Sequence, residues 1–216
     1  MKKIIIAPSI LSANFAALER DVNIVEKAGA KWIHIDVIDG HFAPNITMGP
    51  AIVKALRKTT KLFFDIHLMI TSPEKYWQDF QKAGANLITF HSEVQVDKRK
   101  LIENIKTSGI KAGISIKPKT PVSDIENLLS CLDLVLVMTV EPGFSGQFFM
   151  NDMIPKIETL RKNIDQNNYN CLIEIDGGIN SQTSSICIQA GADALVSGSY
   201  IFSAENPAEA IKSLSL

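Results

Sequence analysis

Trp32-Ile33-His34-Ile35-Asp36-Val37-Ile38-Asp39-Gly40-His41-Phe42-Ala43-Pro44-Asn45 is an apolar run that ends in a dense cluster of ionisable groups. In an extended strand, residues two apart share a face. His34 and Asp36 therefore project together, while Ile33, Ile35 and Val37 pack on the opposite side. An imidazole next to a carboxylate suits a divalent transition metal, and the carboxylate can also carry protons. A lone His-x-Asp on a strand is more often a hydrogen-bonded structural pair, so the metal reading depends on what the rest of the chain brings to the same place.

Working outward, Ile4 to Ala7 reads as a short buried strand closing at Pro8-Ser9. Asn14 then precedes a helical pattern with Leu18, Val22 and Val25 on one face, which stops at Gly29. After the central strand, Pro50 sits in the first turn of a helix, Leu62 to Met69 forms the next strand, and Ser72-Pro73-Glu74 starts another helix. Ala28-Gly29-Ala30, Ala83-Gly84-Ala85 and Ala190-Gly191-Ala192 each fall where a helix ends and a strand begins, an internal repeat of αβ units with glycine available for a left-handed cap. Further strands are expected at 86–90, 111–116, 133–138, 171–176 and 193–197, with Ile154, Ile157, Leu160 and Ile164 marking one intervening helix.

About eight short apolar strands alternating with helices predict a parallel sheet covered by helices, closed as a (β/α)₈ TIM barrel that takes in residues 1–216 as one α/β domain. A doubly wound open sheet would want Gly-x-Gly-x-x-Gly after an early strand, and none is present.

Composition agrees. A chain of 216 residues that is 46% hydrophobic can fill one large core. Lys plus Arg of 22 against Asp plus Glu of 23, with no basic run, argues against a nucleic-acid surface. Lys2-Lys3 precede apolar residues, but Pro8 and Ser9 interrupt too soon for a signal-peptide core and no run reaches membrane length, so a soluble cytoplasmic protein is expected. Cys131, Cys171 and Cys187, odd in number and far apart, fit buried reduced thiols.

In such a barrel the active site lies at the carboxyl ends of the strands. Ser9 falls at the end of the first, Asp36 the second, His67 the third and Asp176 the seventh, with Gly198-Ser199 after the eighth. Each alone reads as an ordinary polar terminator. Two His and two Asp converging from several strands make a four-ligand site for Zn²⁺, Fe²⁺ or Mn²⁺. Glu141 to Gln147 (including Gly143, Phe144, Ser145 and Gly146), Gly177-Gly178 and Gly198-Ser199 add glycine-rich loops after the last three strands, where barrels commonly hold phosphate.

These motifs together resemble the ribulose-phosphate 3-epimerase family over essentially the whole chain: Ala7-Pro-Ser-Ile-Leu-Ser-Ala13, His34 to Asn45, Asp65-Ile-His67-Leu-Met69, Glu141 to Gln147, Glu174-Ile-Asp176-Gly-Gly178 and Gly198-Ser199. The resemblance implies a barrel of the ribulose-phosphate-binding type. It implies epimerisation at carbon 3 of D-ribulose 5-phosphate to D-xylulose 5-phosphate in the non-oxidative branch of the pentose phosphate pathway.

It further implies one divalent ion per subunit, Zn²⁺ first with Fe²⁺, Mn²⁺ or Co²⁺ as alternatives, held by His34, Asp36, His67 and Asp176. Asp36 would accept the proton and Asp176 donate one, with Ser9, His67 and the glycine loops holding the phosphosugar in a homo-oligomer.

Inverting a carbon next to a ketone does require two proton carriers flanking the substrate. Met69 and Met138 would form an apolar wall that keeps water from a cis-enediolate, or serve as plain barrel core. Ile38 stands in that wall where the family usually has Met, and Ser145 where it usually has Gly, a difficulty if the backbone there needs positive φ. Decarboxylase and aldolase-like barrels want Asp-x-Lys-x-x-Asp on the third strand; Asp65-Ile66-His67 puts an imidazole at the lysine position and Ile70 replaces the last carboxylate. An epimerase for allulose 6-phosphate and a non-enzymatic phosphosugar-binding barrel are the other readings.

Overall fold

The computed structural model describes residues 4–215, so Lys2 and Lys3 lie outside the described residues. Strands and helices alternate as β1 (Ile5–Pro8), α1 (Leu18–Lys27), β2 (Trp32–Ile38), α2 (Pro50–Arg57), β3 (Phe63–Met69), α3 (Pro73–Ala83), β4 (Leu87–His91), α4 (Lys98–Thr107) and β5 (Lys111–Ile116). There follow β6 (Leu134–Met138), α5 (Ile154–Gln166), β7 (Leu172–Asp176), α6 (Ser181–Ala190), β8 (Ala194–Ser197), α7 (Ser199–Phe202) and α8 (Pro207–Ser213).

The expected repeat has one exception: β5 and β6 are joined by two 3₁₀ segments, Val122–Asp124 and Glu126–Cys131, in place of an α-helix. Pro118 and Pro121 remove backbone donors at the start of this connection, which disfavours a longer helix.

All eight strands pair in parallel in the order β1-β8-β7-β6-β5-β4-β3-β2, and a parallel bridge from Ser9 to His34 joins the two ends into a barrel. One apolar layer lies between strands and helices: Ile33, Ile35 and Val37 of β2 pack there with Val22 and Val25 of α1 and Val53 and Leu56 of α2. A smaller apolar layer, Leu87, Leu134, Leu136, Met138 and Val140, fills part of the barrel interior. The two-residue period of β2 thus sends its aliphatic positions outward and leaves His34 and Asp36 inward.

The amino ends of the strands are tied by side chains. Asn86 Oδ1 accepts from Phe64 N (2.8 Å), Asp133 Oδ2 from Ala112 N (3.0 Å) and Asp193 Oδ2 from Ile173 N (2.8 Å). Gly84 and Gly191 close α3 and α6 in the left-handed conformation, at φ of 110° and 113°. A Cβ at Gly191 would stand 2.6 Å from Arg161 Cγ. Gly191→Ala is expected to cost about 1–3 kcal/mol, read as a lower urea midpoint with an unchanged slope; an unaltered midpoint would contradict the strain.

Candidate active site

The register of β2 on β3 sets the heart of the site, pairing Asp36 with His67 and His34 with Asp65. Asp36 and His67 each lie two residues short of their strand's end, so the site is sunk into the barrel mouth. His34 Nε2 lies 3.3 Å from Asp36 Oδ1 and 3.9 Å from Asp176 Oδ2, while His67 Nδ1 lies 3.2 Å and 3.8 Å from the same two oxygens. The four ligand atoms lie within 4.8 Å of one another.

Both imidazoles are fully buried, and His34 Nε2 makes no hydrogen bond. Its other nitrogen, Nδ1, sits 2.5 Å from Asp65 Oδ2, an acceptor that keeps a proton on Nδ1 and leaves Nε2 as the nitrogen turned to the two aspartates and open to a cation. Two imidazole nitrogens and two carboxylate oxygens on a common point, one of them an orphaned buried nitrogen, fit a divalent cation. A second acidic group, His34, Asp65 and Glu174, lies deeper. Because it uses the other side of the same imidazole, it is a support for His34.

Electrostatics separates the two aspartates. Burial pushes the Asp36 carboxyl up, but His34 and His67 outweigh it and hold Asp36 well below the usual range. Burial, and then the charge of Asp36, raise Asp176 to about 6. Glu174 beneath them is driven well above its ordinary value by burial and by Asp65. A pair of carboxyl groups with divergent proton affinities is the arrangement acid-base chemistry uses.

Ser9 donates its hydroxyl to Asp36 Oδ2 at 2.5 Å, and both line a cavity of about 600 Å³ over the strand ends. Asp176, Met69, Met138, Gly143, Phe144, Ser145, Gly146, Gly177, Gly178, Gly198 and Ser199 line the same cavity. His34 and His67 lie below it. Ile38 is buried against Ala43 and Met69 and does not line the cavity, so it backs the apolar wall from behind.

Gly143 and Gly146 have positive φ, whereas Ser145 does not, so the serine fits its place without backbone strain. Gly177 and Gly178 are needed for close approach: a Cβ would stand 2.9 Å from Val140 N at the first and 2.4 Å from Phe149 N at the second.

The remaining ionisable residues of the opening stretch are structural. Asp39 accepts from His41 N, Phe42 N and Thr71 N, which outweigh burial and hold it at about 2, and His41 is exposed.

Sequence reasoning missed His91, Glu93 and the supporting role of Asp65. His91 Nε2 lies 2.9 Å from His67 Nε2, and His91 Nδ1 lies 3.1 Å from Glu93 Oε2. Burial lowers His91 to about 4 despite Glu93, so its imidazole is neutral. The signal that would have found it is the continuation of β4 by one residue past Phe90.

A sequence model described as the Ribulose-phosphate 3 epimerase family matches residues 5–202. The chain is 48% identical over 210 residues to the ribulose-phosphate 3-epimerase of Bacillus subtilis, covering 97% of each chain. It is 49% identical over 213 residues to the chloroplastic ribulose-5-phosphate-3-epimerase of Arabidopsis thaliana, covering 98% of this chain and 76% of that one. Among solved structures, the 3-hexulose-6-phosphate synthase of Salmonella typhimurium superposes with a TM-score of 0.68 at 21% identity, over 99% of this chain and 96% of that chain, a likeness of fold alone. The extent of these matches, over the same residues that build the site, places the chain in the ribulose-phosphate 3-epimerase family.

Proposed function

We propose that this chain interconverts D-ribulose 5-phosphate and D-xylulose 5-phosphate by proton transfer between Asp36, Asp176 and carbon 3 of the sugar. The observation that carries the reading is the pair itself: Asp36 and Asp176 line one cavity, and His34 and His67 lie 3.2–3.9 Å from an oxygen of each. Asp36, oriented by the Ser9 hydroxyl, takes the proton on one face of the carbon. Asp176, carried by β7, returns a proton to the other face and inverts the centre. The reverse reaction exchanges the two roles.

Family membership and the donor set support a divalent cation held by His34, Asp36, His67 and Asp176, Zn²⁺ first among Zn²⁺, Fe²⁺, Mn²⁺ and Co²⁺. When bound, it supplies Lewis-acid stabilisation of the negative charge that develops on the sugar oxygens. Met69, Met138 and Val140 present an apolar wall to the cavity, which limits the water reaching the enediolate.

The glycine loops at Gly143–Gly146, Gly177-Gly178 and Gly198-Ser199, with the short extra helix α7 beside them, form the phosphate subsite of this reading. A homo-oligomeric, cytoplasmic enzyme of the pentose phosphate pathway completes it. Among the described residues no helix is long and apolar enough to cross a membrane.

A turnover assay tests the proposal: ribulose 5-phosphate should be converted to xylulose 5-phosphate, and unphosphorylated ribulose should be a poor substrate. If the two sugars differed by less than about tenfold in kcat/KM, roughly 1.4 kcal/mol, the loops would not be a phosphate subsite. No conversion of the phosphosugar at all would refute the activity.

A further inference from the structure

We propose that His91 and Glu93 are positioning residues that fix the tautomer of His67 and so present its Nδ1 lone pair to the cation. This inference rests on the cation-binding reading above. His67 and His91 meet Nε2 to Nε2 at 2.9 Å, both rings fully buried and stacked with centroids 5.0 Å apart. At that contact one nitrogen must donate and the other accept. Nothing in the pair itself chooses between the two arrangements.

The choice is made at Glu93. Its Oε1 accepts from Lys117 N at 2.8 Å and from the Thr120 hydroxyl, and its Oε2 faces His91 Nδ1 at 3.1 Å. An ionised carboxylate only accepts, so the His91 proton sits on Nδ1 and His91 Nε2 becomes an acceptor. With a cation bound, His67 must then carry its proton on Nε2, which frees for the cation the Nδ1 that contacts Asp36 Oδ1 at 3.2 Å in this structure and lies 3.8 Å from Asp176 Oδ2.

The loop that holds Glu93 is itself held. Lys156 Nζ donates to the carbonyls of Lys117 (3.0 Å), Pro118 (2.8 Å) and Thr120 (2.7 Å). Phe42 covers the His91 ring at 4.5 Å. The two imidazole ligands are therefore oriented by different devices: His34 directly by Asp65, and His67 through a relay that ends on the loop after β5.

With only four histidines in the chain, long-range ¹⁵N–¹H spectra of the Zn²⁺-loaded protein can report each imidazole. The expected result is protons on His67 Nε2 and His91 Nδ1; a proton on His91 Nε2 overturns the relay, and this measurement needs no variant.

In Glu93→Gln the amide oxygen satisfies the two donors at Lys117 and Thr120, and the amide nitrogen then faces His91 Nδ1. The His91 proton should move to Nε2, and Zn²⁺ affinity, read by competition with a chromophoric chelator, should fall about 10–100-fold. His91→Gln, which restores an oxygen acceptor for His67 Nε2–H, should bind Zn²⁺ at least about tenfold more tightly than His91→Leu. Equal affinities in those two variants, or Glu93→Gln within about threefold of the parent, would overturn the proposal, since a merely structural role moves neither comparison. Failure of the parent protein to bind Zn²⁺ would overturn the cation reading instead, a distinct outcome.

Discussion

Asp36→Asn and Asp176→Asn are each expected to lower turnover of ribulose 5-phosphate by at least about 10² to 10⁴-fold, the usual worth of one acid-base group. Weakened cation binding can only add to the loss, because each substitution also removes a ligand charge. Metal content measured beside the rates separates the two contributions. Isotope exchange is the sharper readout.

If Asp36 faces the carbon-3 proton of ribulose 5-phosphate, metal-loaded Asp176→Asn should exchange that proton with D₂O without inverting the centre. Asp36→Asn should exchange only the proton of xylulose 5-phosphate. The opposite pattern would interchange the assigned roles, and full epimerisation by either variant would replace the two-carboxylate mechanism with one using a different acid.

Chelation should be as severe. Lewis-acid stabilisation is worth about several kcal/mol, so stripped protein should lose on the order of 10²-fold or more in rate and recover it on addition of Zn²⁺, Fe²⁺, Mn²⁺ or Co²⁺. Unfolding supplies an independent readout: a cation at about 100 times its Kd stabilises the native state by about 2.7 kcal/mol.

Stripping should be easier in mild acid. In the cation-free site the charges of Asp36 and Asp65 outweigh burial and raise His34 above 6.5, so the cation must displace a proton there and binds less tightly as pH falls. Full turnover by protein shown to carry no metal would end the cation reading.

The site's chemistry was largely legible before its geometry. His34 and Asp36 share a strand face whatever the fold, and the recurrence of αβ units with Gly84 and Gly191 at their joints dictates a parallel sheet closed at about eight strands. From those two facts alone, His67 and Asp176 had to come to the same rim. Local periodicity carries that much because strand period and helix capping depend on neighbours within a few residues.

Register decided the rest. Asp65 became the partner of His34 across 31 positions, and His91 the partner of His67 across 24. Ser9 turned out to donate to Asp36 across 27. Each contact joins different strands, and no local pattern states which residues will lie opposite.

His91 escapes the sequence for a simpler reason: composition ends β4 at Phe90, one residue early, whereas pairing with β5 carries the strand on to His91. The difference in proton affinity between Asp36 and Asp176 likewise belongs to the tertiary structure, since it arises from two imidazoles and a second carboxylate brought within 4.8 Å of one another in a buried site. The sequence alone determined that His34, Asp36, His67 and Asp176 share one rim; only the folded barrel decided which side chains lie opposite them and keep them in place, because pairing across strands is set by register and not by neighbours in the chain.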